Sequence, residues 1–139
     1  VVVEDLLEGV SVSRLMRTTT SSVSPDMPVS DLVYNHIMGS DERAFPVLVE
    51  DRLVGLVCLE DVKKVPRADW DTTQVNQIMT PVDKLELATP REDANDAFIK
   101  LARKDVNQMP VVQDGHLVGM LRRSDILRWL QMQSHPTAG

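Results

Sequence analysis

The chain has only one cysteine, Cys58, among its 139 residues, so it can form neither an internal disulfide nor a cysteine-based zinc site. That usage suits a reducing compartment. Aromatic residues are 4% of the total, which leaves no stacking platform for single-stranded nucleic acid. Basic charge is also short: the net charge of −6 argues against a nucleic-acid or anionic-membrane partner. The longest apolar stretch, Leu53 to Leu59, is far below the roughly 20 residues that span a bilayer. No charged segment with a hydrophobic region behind it opens the sequence, and no methionine does, so a piece of a longer protein is expected. There is no glycine-rich phosphate loop, no His-Glu-x-x-His and no serine or cysteine nucleophile motif, so catalysis within this chain is not expected. His36, His116 and His135 lack acidic or cysteine neighbours at ligand spacing, so no metal site is expected either.

What is present is a repeat. Ala44-Phe45-Pro46-Val47-Leu48-Val49, Leu53-Val54-Gly55-Leu56-Val57 and Asp61-Val62 return as Gln108-Met109-Pro110-Val111-Val112-Gln113, Leu117-Val118-Gly119-Met120-Leu121 and Asp125-Ile126. Pro46 and Pro110, Gly55 and Gly119, and Asp61 and Asp125 are each 64 apart, whereas Met16 and Met79 are 63 apart and Pro25 and Pro90 are 65 apart. A period this long marks a duplicated small domain, not a solenoid unit. Each half, at about 65 residues, would be marginal alone, so the copies are expected to fold together with a ligand cleft between them. Residues 1–65 carry six basic and eleven acidic groups, and residues 66–139 carry nine and ten, so a phosphate should prefer second-half side chains.

In the second copy Thr89-Pro90 reads as a helix start, and Ala94, Ala97, Phe98, Leu101 and Ala102 form an apolar stripe at helical spacing. Met109–Gln113 and His116–Leu121 read as strands joined by the two-residue turn Asp114-Gly115, with Ser124 capping a last helix. The first copy repeats the order: a short strand near Ser22–Ser24, a helix over about 28–39, strands over 45–49 and 53–58, and a short helix from about 59. Its turn, Glu50-Asp51, is poorer, yet aspartate tolerates the left-handed conformation. The expected architecture is α/β, two β-α-β-β-α repeats over 10–65 and 74–132, with 66–73 as a polar linker. His36 is expected at the edge of the first core.

These motifs, Met79-Thr80, Val23-Ser24-Pro25 and Ala88-Thr89-Pro90, the Pro-Val strands, and Leu-Val-Gly leading to an aspartate, resemble a tandem pair of CBS (cystathionine β-synthase) domains, a Bateman module. The resemblance covers about 10–130 and implies that the two repeats pack as a pseudo-twofold pair around a cleft. It implies a regulatory module that binds an adenosine-containing ligand (ATP, ADP, AMP or S-adenosylmethionine) in a cleft, requires no cofactor, and modulates an attached protein. Asp61 and Asp125 match the family's ribose-binding aspartates, whose two oxygens suit a vicinal diol; their plainer role is to charge the first turn of a helix. Cys58 and Arg122 stand where the family has a threonine or serine. Cysteine is a poor donor, while Arg122 can pair with a phosphate, fill the pocket, or simply end a strand. Ser124, Thr80, Phe45 and Met109 complete the expected ligand contacts.

Leu59 to Pro66 with Trp70, and Leu121 to Leu130, further resemble the CBS tail of bacterial site-2-type membrane zinc metalloproteases. That implies a cytosolic portion of a membrane protein, with Val1 to Gly9 leading from a membrane segment, and a catalytic or membrane domain of the parent as partner. A homodimer is expected through Leu15, Met16, Ile37, Met38, Ile78, Met79 and Phe98. The competing reading is a ligand-free oligomerisation module with degenerate nucleotide sites.

Overall fold

A computed structural model describes residues 6–133. Its helices are α1 (Val12–Leu15), α2 (Val29–Leu32), α3 (Leu59–Lys63), α4 (Val75–Ile78), α5 (Ala94–Lys104) and α6 (Arg123–Gln133). Its strands are β1 (Ala44–Val49), β2 (Arg52–Cys58), β3 (Thr80–Pro81), β4 (Gln108–Gln113) and β5 (His116–Arg122). His135 and the first five residues of the lead lie outside the described residues.

The chain divides into two compact units, one made of Thr20–Leu85 and the other of the sequence before and after it. Each unit joins one repeat to the lead segment that precedes the other. In the contiguous unit the lead of the second repeat docks through Val75 N–H to Met27 O (2.8 Å) and Asn76 N–H to Pro25 O (2.9 Å), with Val29 N–H returned to Thr73 O (2.8 Å). In the split unit the lead of the first repeat makes the matching bonds, Val12 N–H to Glu92 O (2.9 Å), Ser13 N–H to Pro90 O (3.0 Å) and Ala94 N–H to Val10 O (2.7 Å).

The hairpins also match. β1 and β2 pair antiparallel from Ala44 opposite Cys58 to Val49 opposite Arg52, with an irregularity after Val47. β4 and β5 pair from Gln108 opposite Arg122 to Gln113 opposite His116, with the irregularity after Val111. Both turns use two left-handed residues, Glu50 and Asp51 in one and Asp114 and Gly115 in the other. That twist suits adjoining antiparallel strands. Pro46 and Pro110 sit in strands because only their carbonyls are used on that edge, accepting from Val23 and Ala88 at 3.0 Å.

Gly55 and Gly119 explain the repeated Leu-Val-Gly. A Cβ at Gly55 would lie 2.5 Å from Met79 Sδ and 2.8 Å from Thr80 O, and one at Gly119 would lie 2.8 Å from both Met16 Sδ and Arg17 O. Each lead ends in a methionine that crosses its glycine, and the next residue joins the sheet: Thr80 opposite Leu56, Arg17 opposite Met120.

Three local expectations are corrected. α5 starts at Ala94 instead of at Thr89-Pro90, because Glu92 N–H closes a turn onto Thr89 O and Asp93 caps the helix through Asn95 N–H (2.9 Å). α6 starts at Arg123, whose N–H meets Asn107 O at 2.8 Å, so Ser124 lies inside the first turn and is not the cap. The first-copy helix changes after α2 into a π turn over Val33–Ile37. Pro25 to Pro46 is one residue longer than Pro90 to Pro110, and a π turn absorbs one residue.

Each unit has its own core. Val29, Leu32, Phe45, Val47, Val57, Val62 and Val75 fill one; Leu7, Val12, Ala94, Leu101, Met109, Leu121 and Ile126 fill the other. His36 packs edge-on to Phe45, ring centres 6.3 Å apart, at the margin of the first. The 66–73 connection is folded: Trp70 donates its indole N–H to Val65 O (3.0 Å), accepts Ser30 N–H at its carbonyl (3.1 Å) and meets Tyr34 edge-on.

Candidate functional site: two aspartate corners

Both candidate aspartates occupy the third position of a helix that leaves a strand directly, a place set by the common register of β2 with α3 and of β5 with α6. Their partners differ. Asp61 accepts Cys58 N–H at 2.8 Å, so its carboxylate closes the start of its own helix. The Cys58 thiol is pushed up to about 11, first by burial and then by the carboxylates of Asp61 and Glu60, so it is protonated at neutral pH. Thr80, in β3, pairs with Leu56 of β2, two residues before Cys58.

At the other corner Asp125 Oδ2 accepts from Arg17 Nε and from Arg122 Nε, each at 3.1 Å, and Oδ1 accepts from Arg17 Nη2 at 3.4 Å. The side chains of Asp125, Arg122 and Arg17 are 13%, 19% and 39% exposed. Partial burial alone would raise the Asp125 pKa, but the hydrogen bonds and charges of the two guanidiniums outweigh it and hold the carboxyl below its ordinary value. Ser124 is exposed beside it.

Cys58, Asp61 and Thr80 therefore belong to one unit, and Arg122, Ser124 and Asp125 to the other. Phe45 and Met109 each stand one residue along the strand from a corner pair, Ala44 opposite Cys58 and Gln108 opposite Arg122. At 1% and 0% exposure their side chains are core, because the strand positions that carry them face the helices; only their backbone is left for a ligand. Arg17 was not among the expected residues. Its signal was available, since Met16-Arg17 aligns with Met79-Thr80 at the 63-residue spacing.

Of the residues expected to form a dimer face, Leu15 is buried, and Met16, Ile37, Ile78, Met79 and Phe98 are partly buried against their unit cores. Tyr34 and Met38 remain exposed, and Phe98, Ile99 and Ala102 line a depression of about 420 Å³ on α5 with Asn95 and Arg103. Another, of about 500 Å³, lies among Gly9, Val10, Ser11, Arg14 and Trp129. Neither includes an aspartate corner. Among the described residues no helix is long and apolar enough to cross a membrane, and no cluster of three metal-ligating side chains occurs.

A lead crossing a glycine, a Pro-Val strand and an aspartate opening the next helix, all present twice, define a CBS pair. The CBS domain model matches residues 12–67 and 75–132, and the chain belongs to that family. It is 26% identical over 140 residues to the Mycobacterium tuberculosis protein named "Putative zinc metalloprotease Rip3", covering 96% of this chain and 36% of the relative; the chain thus spans about a third of that protein. Among solved structures, it resembles the CBS domain of the bacterial CNNM/CorC family Mg2+ transporter in complex with ATP (TM-score 0.80, 21% identity, 92% of each chain). It also resembles the CBS domain pair of MJ0100 in complex with 5′-methylthioadenosine and S-adenosyl-L-methionine (TM-score 0.75, 20% identity, 88% of this chain and 97% of the other).

Proposed function

We propose that this CBS pair is the cytosolic regulatory module of a membrane metalloprotease-like protein, that it binds an adenosine-containing ligand at the Asp125 corner, and that it works as a homodimer. The observation that carries this reading is Asp125 itself: a carboxylate at the start of an eleven-residue helix, with two guanidiniums in contact, joins an acceptor for a ribose diol to donors for a phosphate. The ATP and S-adenosylmethionine complexes of similarly folded CBS pairs support the ligand class. The relationship to Rip3 supports the parent. Occupancy regulates only if the ligand binds two arrangements of the module with different affinity.

Calorimetry with ATP, ADP, AMP and S-adenosylmethionine tests the binding. Saturable heat with at least one is expected. Silence from all four, with no shift in melting temperature, leaves the oligomerisation module, a reading favoured by the way Asp61 is spent on Cys58 N–H. Light scattering after size exclusion checks the dimer and should return twice the chain mass; a monomer at tens of micromolar refutes it.

A further inference from the structure

The two corners share a backbone frame and differ at three side chains: Arg17, Arg122 and Asp125 at one, Thr80, Cys58 and Asp61 at the other. Two cations surround one carboxylate in the first set. The second set has a carboxylate, a protonated thiol and a hydroxyl, with Glu60 adjacent and paired on its outer side to Lys63 at 3.2 Å. The wider surroundings run the same way. The contiguous unit carries six basic and eleven acidic residues, while the split unit carries nine and ten.

A guanidinium binds phosphate by the same paired N–H geometry with which it binds a carboxylate, and phosphate has more oxygens and more charge to offer. Asp125 holds Arg17 and Arg122 on one oxygen pair, so both are already oriented toward a common anion, and transfer to a phosphate leaves Asp125 able to accept hydroxyl donors. Arg17 arrives from the lead segment and Arg122 from the end of β5, so an anion bridging them also ties the lead to α6.

We propose that Arg17 and Arg122 make the Asp125 corner selective for phosphorylated ligands, with Arg17 as a specificity-determining residue, while the Asp61 corner takes no phosphate. This rests on reading the Asp125 corner as a nucleotide site. It predicts an order of ATP over AMP over adenosine, with the cationic S-adenosylmethionine disfavoured.

The experiment titrates ATP, adenosine, S-adenosylmethionine and inorganic triphosphate into the wild type, Arg17→Thr, Arg17→Lys and Thr80→Arg, at low and moderate salt, with melting temperatures as folding controls. Arg17→Thr, which installs the side chain of the other corner, should weaken ATP and triphosphate by about tenfold or more and leave adenosine within about twofold, the scale of one charge-assisted hydrogen bond. Arg17→Lys keeps the charge without the fork and should fall between. Thr80→Arg should gain phosphate affinity. Equal weakening of ATP and adenosine, or tighter binding of every ligand once Arg17 is shortened, overturns the proposal while the nucleotide reading survives. Triphosphate binding that depends on Arg17, without any adenosine binding, upholds the anion site and sinks the nucleotide reading. If neither triphosphate nor any adenosine ligand binds, both fail.

Discussion

The Asp61 and Asp125 corners have the same strand register, the same glycine under the same methionine, and an aspartate at the same step of the following helix. In one, that aspartate serves its own backbone; in the other it is shared by two arginines. The frame is held by glycines that cannot take a side chain without steric cost, whereas three side chains, Arg17, Arg122 and Asp125 in one corner and Thr80, Cys58 and Asp61 in the other, give each corner its chemistry. A duplicated domain can therefore keep two equivalent frames while its two sites become chemically unlike.

The frame breaks most strongly at its glycines. Gly55→Ala and Gly119→Ala each place a Cβ within 3 Å of a backbone carbonyl, and each should cost roughly 2–3 kcal/mol in urea unfolding. Similar losses confirm that the frames are alike; a tolerated alanine at either would show that its lead does not cross so closely. Next, Asp125→Asn removes the charged partner of two guanidiniums and should destabilise by about 1–2 kcal/mol, because all three groups are partly buried. Asp61→Asn keeps an oxygen for Cys58 N–H and should cost no more than about 0.5 kcal/mol. Equal effects would erase the distinction between the corners.

Acid separates them more gently. The pKa of Asp125 is depressed in the folded state, so its contribution to stability is complete above its unfolded value of about 4 and is lost as pH falls through the folded one. Melting temperature should drop less between pH 5 and pH 3 in Asp125→Asn than in the wild type, and an unchanged slope refutes this. The smallest change expected is in Cys58→Thr. A hydroxyl at the start of α3 is a better helix cap than a thiol and should add about 0.5 kcal/mol; a clear loss would mean that the methyl group does not fit beside Asp61.

The repeated elements were legible because local pattern specifies them. Both hairpins, α5 from its apolar stripe, and the edge position of His36 follow from periodicity and turn chemistry. The change of spacing from 65 to 64 holds the extra residue between Pro25 and Pro46 that the π turn takes up, but a spacing does not say where a helix widens, and a plain helix over about 28–39 is the expectation there. Pairing between distant segments was not legible. That the lead of each repeat joins the core of the other depends on hydrogen bonds such as Gly9 N–H to Asp93 Oδ2, 84 residues apart, which no local pattern encodes. The inward packing of Leu15, Met16, Ile78 and Met79 and the overlooked Arg17 follow from that exchange. At Phe45 and Met109 the limit is simpler: a motif names a position, while burial decides which part of the residue meets solvent, and there it is the backbone.

The exchanged leads also set an order of assembly as the chain leaves the ribosome. Once residue 85 has emerged, the contiguous unit has every segment of its core and can close while the second copy is still being made. The other unit cannot. Leu7 and Val12 must wait for Leu121 and Ile126, and Arg17 for a carboxylate 108 residues away, before their apolar surface is covered. During that interval the lead is an apolar segment without its core, tethered to a finished neighbour and open to a chaperone or to a wrong partner.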